Sequence, residues 1–388
     1  MTRPRVVVYW HNGRTLGHTA GCAAVMRALR AESSDVELIA LTGAYHGLDL
    51  LPPDAHVERL PPFRSYDTPT GSRIEPSTSD EADAFVERRS SAAREFLDRY
   101  KPDVLLVDHL PWGWRGELTP SIEATRSTRK VLMWRGVLFD SDMTRHDYLA
   151  GGRGEWIATH YDAIVVHNDP RLFRLETEYD LPTTLAAKLT YNGYLPAPYL
   201  GGRVAARRLL NLPGHARVVL LTMGGGQGAG DIWCAALAAI RPLQFDMVRC
   251  VLGPYLEPNV RERIKWEAAT VPGCVLVDYE PAMMPWLAAA DVVVTAAGAG
   301  ALGEVLAARA NAVAIPRQLR EAEQSIHSAI LAERGWIRRV GLADVTAESL
   351  REQIRLALRQ PVDMPEEMML GGAAATARKV LEMVAHDR

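Results

Sequence analysis

The sequence predicts an α/β protein made of two doubly wound, Rossmann-like domains in tandem. Three observations carry that expectation. A chain of 388 residues exceeds one ordinary hydrophobic core and suits two domains of typical size. Short β-branched apolar runs alternate with longer helical patterns along most of it. That alternation occurs twice, on either side of a segment rich in Pro, Gly and aromatic residues.

In the first half, Val6–Trp10, Val36–Leu41, Val104–Val107, Val131–Trp134 and Ala163–Val166 read as strands. Val218–Leu221, Val248–Leu252, Val275–Val277, Val292–Thr295 and Ala312–Ile315 repeat the pattern in the second. The runs are continuously apolar rather than alternating, as befits strands of a parallel sheet covered on both faces. Strand–helix–strand repetition implies right-handed crossovers and open doubly wound sheets. The break falls near Asn192–Arg203, giving domains at 1–195 and 203–364. A last helical segment, 365–388, has no strand after it and is expected to return to the first domain. Pro61–Asp80 is poor in apolar residues and reads as a mobile surface loop.

Composition narrows the function. Hydrophobic residues at 48% and charged residues at 23% are globular proportions, which excludes disorder. A net charge of -3 lacks the basic surplus of a nucleic-acid binder. Cys22, Cys234, Cys250 and Cys274 are scattered without a CxxC pair, which fits a reducing cytoplasm better than a disulfide framework. No apolar run approaches the roughly 20 residues of a membrane span, while peripheral membrane contact stays open.

Ligands of doubly wound sheets bind at the carboxyl ends of the strands, so motifs there carry weight. After the first strand come Gly13 and Gly17, then His18 at the mouth of a helix. Their spacing is not the GxGxxG dinucleotide fingerprint, which disfavours hydride transfer. His18 is suited to act as a general base near neutral pH, or it caps the helix start. The run DVLLVDHLPWGWRGEL, Asp103 to Leu118, delivers Asp108 and His109 to a strand end. Either could position an acceptor hydroxyl or replace His18 as base; as an alternative they cap a turn. Trp112 and Trp114 could stack on a sugar ring or pack the core, and packing is the preferred reading.

The second half carries three loops at strand ends. Gly224, Gly225, Gly226, Gln227 and Gly228 form a turn with more glycine than a strand–helix connection needs, suited to cradle phosphate or sugar. Ala297, Gly298 and Ala299 open a helix whose first N–H groups can offset a diphosphate. Glu304, about one and a half turns in, can accept hydrogen bonds from vicinal ribose hydroxyls or merely complement its own helix dipole. Glu323 and Gln324 begin another helix, where an acid–amide pair could read hexose hydroxyls. No HxxxH, HExxH or strand-end DxD is present, so neither metal nor other cofactor is expected. A G-x-S-x-G elbow is absent too, which disfavours a serine hydrolase.

At these residues the sequence resembles glycosyltransferase family 28, the MurG-like glycosyltransferases of GT-B fold. Gly224–Gly228 resembles the family's Gly-Gly-Ser-Gln-Gly loop, with Gly226 in the serine place. Ala297-Gly298-Ala299 with Glu304 keeps the spacing of its Ser-Gly-Ala loop and glutamate. Glu323-Gln324 resembles its acid–Gln segment, with His327 where Asn is usual. The backbone that recognises the base maps near Tyr279-Glu280, and Met283 falls at the family's methionine. Gly17-His18 resembles its Gly-Gly-His. The stretches Asp103–Leu118 and Arg135–Asp140 are closer to a bacterial group of predicted glycosyltransferases.

The resemblance implies two domains facing a central cleft, an acceptor-binding first domain and a donor-binding second one. It assigns Gly17, Trp112, Trp114 and Arg135 to the acceptor side. The expected activity is inverting, metal-independent transfer of a hexose or aminohexose from a nucleotide-diphosphate sugar, UDP favoured. The expected acceptor is a hydroxyl of a small soluble molecule, in specialised metabolism. A UDP-sugar 2-epimerase, a UDP-sugar hydrolase and a non-catalytic nucleotide-sugar binder remain as alternatives on the same fold.

Overall fold

The apolar runs form parallel strands in the computed structural model, which describes residues 3–11, 16–68, 71–75, 79–317 and 322–386. Two units result: Met1–Leu195 together with Met368–Arg388, and Pro196–Glu367.

The first unit contains β1 (Arg5–Trp10), β2 (Glu37–Thr42), β3 (His56–Arg59), β4 (Arg64–Thr68), β5 (Gly71–Glu75), β6 (Val104–Asp108), β7 (Arg129–Arg135), β8 (Ala163–His167) and β9 (Leu189–Tyr191). Seven of them make one parallel sheet in the order β3-β2-β1-β6-β7-β8-β9. Strand order reverses between β1 and β6, which is the switch point where such sheets open a crevice. Val6, Val8, Val104, Val131 and Val165 are buried with Cys22, Val25, Met26 and Leu29 of the helix Gly17–Glu32.

The chain's last helix, Gly372–His386, completes that core with Ala377, Val380 and Val384. Burying each valine contributes about 1.5–3 kcal/mol. The approach is fixed by backbone bonds, Tyr194 N–H to Met369 O at 2.8 Å and Gly372 N–H to Tyr194 O at 3.0 Å. Asn192 adds a side-chain bond to Thr376 at 3.0 Å.

The second unit contains β10 (Val218–Thr222), β11 (Met247–Val251), β12 (Cys274–Val277), β13 (Val292–Ala296), β14 (Ala312–Ile315) and β15 (Arg338–Arg339), ordered β12-β11-β10-β13-β14-β15. All are parallel, and the switch point lies between β10 and β13.

Two sequence expectations change. The segment read as a surface loop holds the antiparallel pair β4–β5. Three edge-side strands, β3, β9 and β15, escaped the sequence reading because β3 and β15 are largely polar and β9 is only three residues long. No helix among the described residues is long and apolar enough to cross a membrane.

Candidate active site

In the first unit, neighbouring strands end at a common level. The ladder sets Asp108 opposite Met133, and Arg135 opposite His167, so β6, β7 and β8 each end on a polar or charged residue. His11 directly follows β1. On these neighbouring strands the switch point is thus lined by His11, Asp108, Arg135 and His167.

His18 joins them from the second position of the helix Gly17–Glu32. Its Nδ1 lies 2.5 Å from Asp108 Oδ2, and its Nε2 lies 2.8 Å from Arg135 Nη2. A guanidinium carries donors alone, so the Nε2 facing it must present a lone pair. The ring proton then sits on Nδ1 and is donated to Asp108. This tautomer is the one a base acting through Nε2 requires.

Electrostatics supports it. Burial pushes the Asp108 carboxyl up to about 6, against the opposing pull of Arg135, His11 and His167. At neutral pH the carboxylate is ionised, yet only just. Burial, reinforced by positive neighbours, holds His11 and His109 well below the ordinary imidazole range. Burial also lowers His167 to about 4. Those three rings are therefore neutral, and Arg135 supplies fixed positive charge.

His11, His18 and Asp108 have ligand atoms within 4.8 Å of one another, a grouping by which a cation could be held. Arg135, in contact with His18, opposes one electrostatically. Gly17 opens the helix, exposed, beside Leu16, whose side chain gives no cap. The remainder of the first glycine loop, residues 12–15, lies outside the described residues.

His109 is buried in a left-handed conformation, φ +61°, and its ring packs beside Phe139 and Tyr148 at centroid distances of 6.0 and 6.3 Å. Its ring centroid stands 5.9 Å from that of His18, so it neighbours the His18–Asp108 pair without entering it. Trp112 is half-buried between Tyr148 and Trp156.

Trp114, assigned to acceptor binding, is a core residue. It is buried, stacks on Phe63 at 4.1 Å and abuts Phe85. The reason lies beneath it: its N–H bonds Tyr9 Oη at 3.2 Å, and that hydroxyl binds Glu117, which pairs in turn with Arg89. Arg89 and Glu117 are both fully buried, so this network holds the turn and turns the indole inward.

In the second unit the sequence-predicted donor residues gather on three strand ends. Gly224–Gly228 follows β10, and Gly298 caps the helix Ala299–Ala307 after β13, flanking the switch point. That helix start has no side-chain cap and no acid in its first turn, leaving its leading N–H groups to a ligand or water. Gly298, Ala299 and Glu304 are half-buried.

The glycine at 226 has a structural cause as well. Its φ is +91°, and a Cβ there would meet Leu252 O at 2.3 Å, because the turn presses on the loop after β11. A serine in that place is excluded by backbone, not by ligand. Gly224 and Gly228, also at positive φ, have no atom within 4 Å of such a Cβ.

Arg317 ties the loop after β10 to the end of β14, a role its sequence position did not signal. Its Nη1 donates to Gln227 O at 2.5 Å, and its N–H donates to Gln324 Oε1 at 2.9 Å. Glu323 and Gln324 are accordingly buried. Tyr279 and Glu280 lie just after β12. The Glu280 carboxylate is committed to Arg249 at 2.7 Å and to Ala282 N–H at 3.2 Å, so it is not what this stretch offers a base. Met283 opens the helix Met283–Ala289, half-buried.

Comparison with known proteins centres on the second unit and the last helix. Residues 219–384 match the model of the glycosyltransferase family 28 C-terminal domain. A UDP-N-acetylglucosamine--N-acetylmuramyl-(pentapeptide) pyrophosphoryl-undecaprenol N-acetylglucosamine transferase of Mycobacterium tuberculosis is 33% identical over 159 residues, 41% of this chain and 38% of the relative. The chain thus spans under two fifths of that relative's length. The like-named protein of Paenarthrobacter aurescens is 27% identical over 350 residues, 88% of this chain and 85% of its own. The crystal structure of Acinetobacter baumannii MurG superposes with a TM-score of 0.58 at 13% identity, covering 99% of each chain. That likeness shows a shared fold, the two-domain α/β architecture of GT-B glycosyltransferases.

Proposed function

We propose that this protein, whose residues 219–384 match the family 28 C-terminal domain and which resembles the MurG-like glycosyltransferases, moves a hexose or aminohexose from a nucleotide-diphosphate sugar to a hydroxyl acceptor. UDP is the favoured nucleotide, a small soluble molecule the favoured acceptor, and the cytoplasm the favoured location. The observation that carries the reading is the His18–Asp108 contact at the switch point of the first unit.

The reaction is a single displacement with inversion. His18 Nε2 takes the acceptor's hydroxyl proton while that oxygen bonds to the anomeric carbon. The bond from that carbon to the diphosphate oxygen breaks, and the electron pair leaves with the nucleotide. Asp108 holds the ring tautomer and stabilises the imidazolium that forms. Backbone N–H groups at Ala299 and along Gly225–Gly228 meet the charge on the leaving group. Preorganised donors of this kind are each worth about 3 kcal/mol. Glu304 holds the ribose, and no step calls for a metal.

The names of the relatives favour a second acceptor, a lipid-linked pyrophosphoryl sugar. A thermal-shift panel of UDP, GDP, TDP and ADP tests the donor half, since a ligand of the folded state raises apparent stability. UDP is expected to shift the transition most, and no shift with any nucleotide would overturn the reading. UDP-sugar turnover is then followed with soluble and with polyprenyl-linked acceptors. Consumption without any acceptor would move the assignment to a 2-epimerase or hydrolase.

A further inference from the structure

The resting site poses a contradiction. The lone pair on His18 Nε2 that should receive a proton already accepts one from Arg135, at 2.8 Å. An acceptor hydroxyl reaches that atom only if Arg135 is drawn elsewhere. A neutral hydroxyl offers a guanidinium little in exchange, whereas an oxyanion offers a charge-assisted and bidentate bond.

The surroundings match an oxyanion. His11 and His109 are held neutral, so each ring keeps one N–H donor. Their Nδ1 atoms are buried and have no hydrogen-bond partner among the described residues. His109 is 94% buried by complement of its 6% exposure, which makes an unanswered nitrogen costly. His167 stands opposite Arg135 in the ladder. The opposing charge in the group is Asp108, engaged by His18 Nδ1 at 2.5 Å.

We propose that the acceptor carries an oxyanion, a carboxylate or phosphate, within two or three bonds of its reacting hydroxyl, and that Arg135 with the neighbouring imidazoles binds it. The inference rests on the proposed role of His18 as base. Arg135 N–H changes its acceptor from imidazole nitrogen to anionic oxygen, and Nε2 accepts the hydroxyl in its place. No covalent bond changes in this exchange. The base is thereby exposed only to a hydroxyl that arrives with its anion, which also protects the donor from water.

The test uses the full chain with ¹⁵N-labelled histidine, the His18 ring signals being assigned through His18→Gln. Glycolate, inorganic phosphate and neutral ethylene glycol are titrated at constant ionic strength. A saturable shift of the His18 Nε2 signal is expected with an oxyanion and not with ethylene glycol. In Arg135→Gln the oxyanion response should weaken by about tenfold or vanish. Arg135→Lys, which keeps charge without the fork, should fall between. A response to glycolate alone assigns a carboxylate, to phosphate alone a phosphate ester, and to both the oxyanion class. No response to either anion, an equal response to ethylene glycol, or an undiminished response in Arg135→Gln overturns the inference. The UDP-induced thermal shift, measured on the same samples, verifies folding and reads the donor half separately. In the unsubstituted chain, absence of an oxyanion response with that shift intact therefore sinks this inference alone.

Discussion

The two sheets share a topology and put opposite chemistry at their switch points. Between β1 and β6 the strand ends carry His11, Asp108 and, one strand on, Arg135, with His18 reaching in from the next helix. Between β10 and β13 they carry glycine and alanine, and the polar groups on offer are backbone N–H. On the proposed function, the difference follows from what each end would do. Moving a proton needs a side chain that titrates near neutrality and a partner that fixes its tautomer. Holding a diphosphate needs charge compensation that does not titrate, and helix-start N–H groups supply it.

The sharpest way to break this comparison is to remove the titrating group. His18→Gln should lower turnover by about 10³-fold, within the range general bases contribute. UDP affinity should stay within about twofold, because the residues of the backbone cradle belong to the second unit. Steady-state kinetics with calorimetric UDP binding would separate the two, and a variant weakened equally in both would erase the distinction. The mirror experiment is Gly226→Ala. A Cβ at φ +91° and 2.3 Å from Leu252 O must push the turn off the loop after β11. Strain of this kind costs about 1–3 kcal/mol, so UDP binding should weaken by up to about 100-fold. The His18 ring signals should not move.

The sheets were legible in sequence wherever burial on both faces makes a run continuously apolar, as in Val6–Trp10 or Val292–Ala296. Edge strands were not, since β15 reads Arg338–Arg339 and β3 reads HVER. Candidate residues were legible singly because each follows a strand. Their pairing was not, because His18 and Asp108 lie 90 positions apart and only the β1–β6 crossover joins them. His11 and His167 were passed over although both sit at strand ends; applying the strand-end rule uniformly would have found them. At Gly226 the sequence did not show that the glycine also answers a backbone contact. Trp114 was open between stacking and packing, and the buried Arg89–Glu117 pair beneath it decides for packing.

A smaller effect tests whether the donor switch point is backbone alone. Glu304→Ala removes the half-buried carboxylate after the helix start. If it holds two ribose hydroxyls, charge-assisted bonds are lost and UDP affinity should drop by about tenfold or more. A carboxylate that only complements its own dipole is worth tenths of a kcal/mol, and the change would then be under about twofold. Titration with UDP and with uracil distinguishes them further, since uracil lacks the ribose and should bind both forms alike.

The mildest perturbation is pH, and it acts on the two sites differently. Asp108 has its carboxyl pushed up to about 6 by burial, from 3.8. Below that value it is neutral and no longer stabilises an imidazolium, so kcat/KM should be halved near pH 6 and fall about tenfold per unit beneath it. Stability runs the other way. A carboxyl that holds its proton more tightly folded than unfolded favours the folded state fully below 3.8 and loses that contribution as pH rises through 6. From pH 4 to 6 the Asp108 contribution therefore weakens the fold while activity rises, and Asp108→Asn should flatten both trends. At the second switch point the groups proposed to meet the diphosphate are amides, so affinity for an intact UDP-sugar should vary by less than about twofold across pH 5 to 8. An acid limb near 6 in the rate, absent from donor binding and lost in Asp108→Asn, would tie the titration to Asp108; the same limb in donor binding would mean that the donor loops depend on an ionising side chain after all.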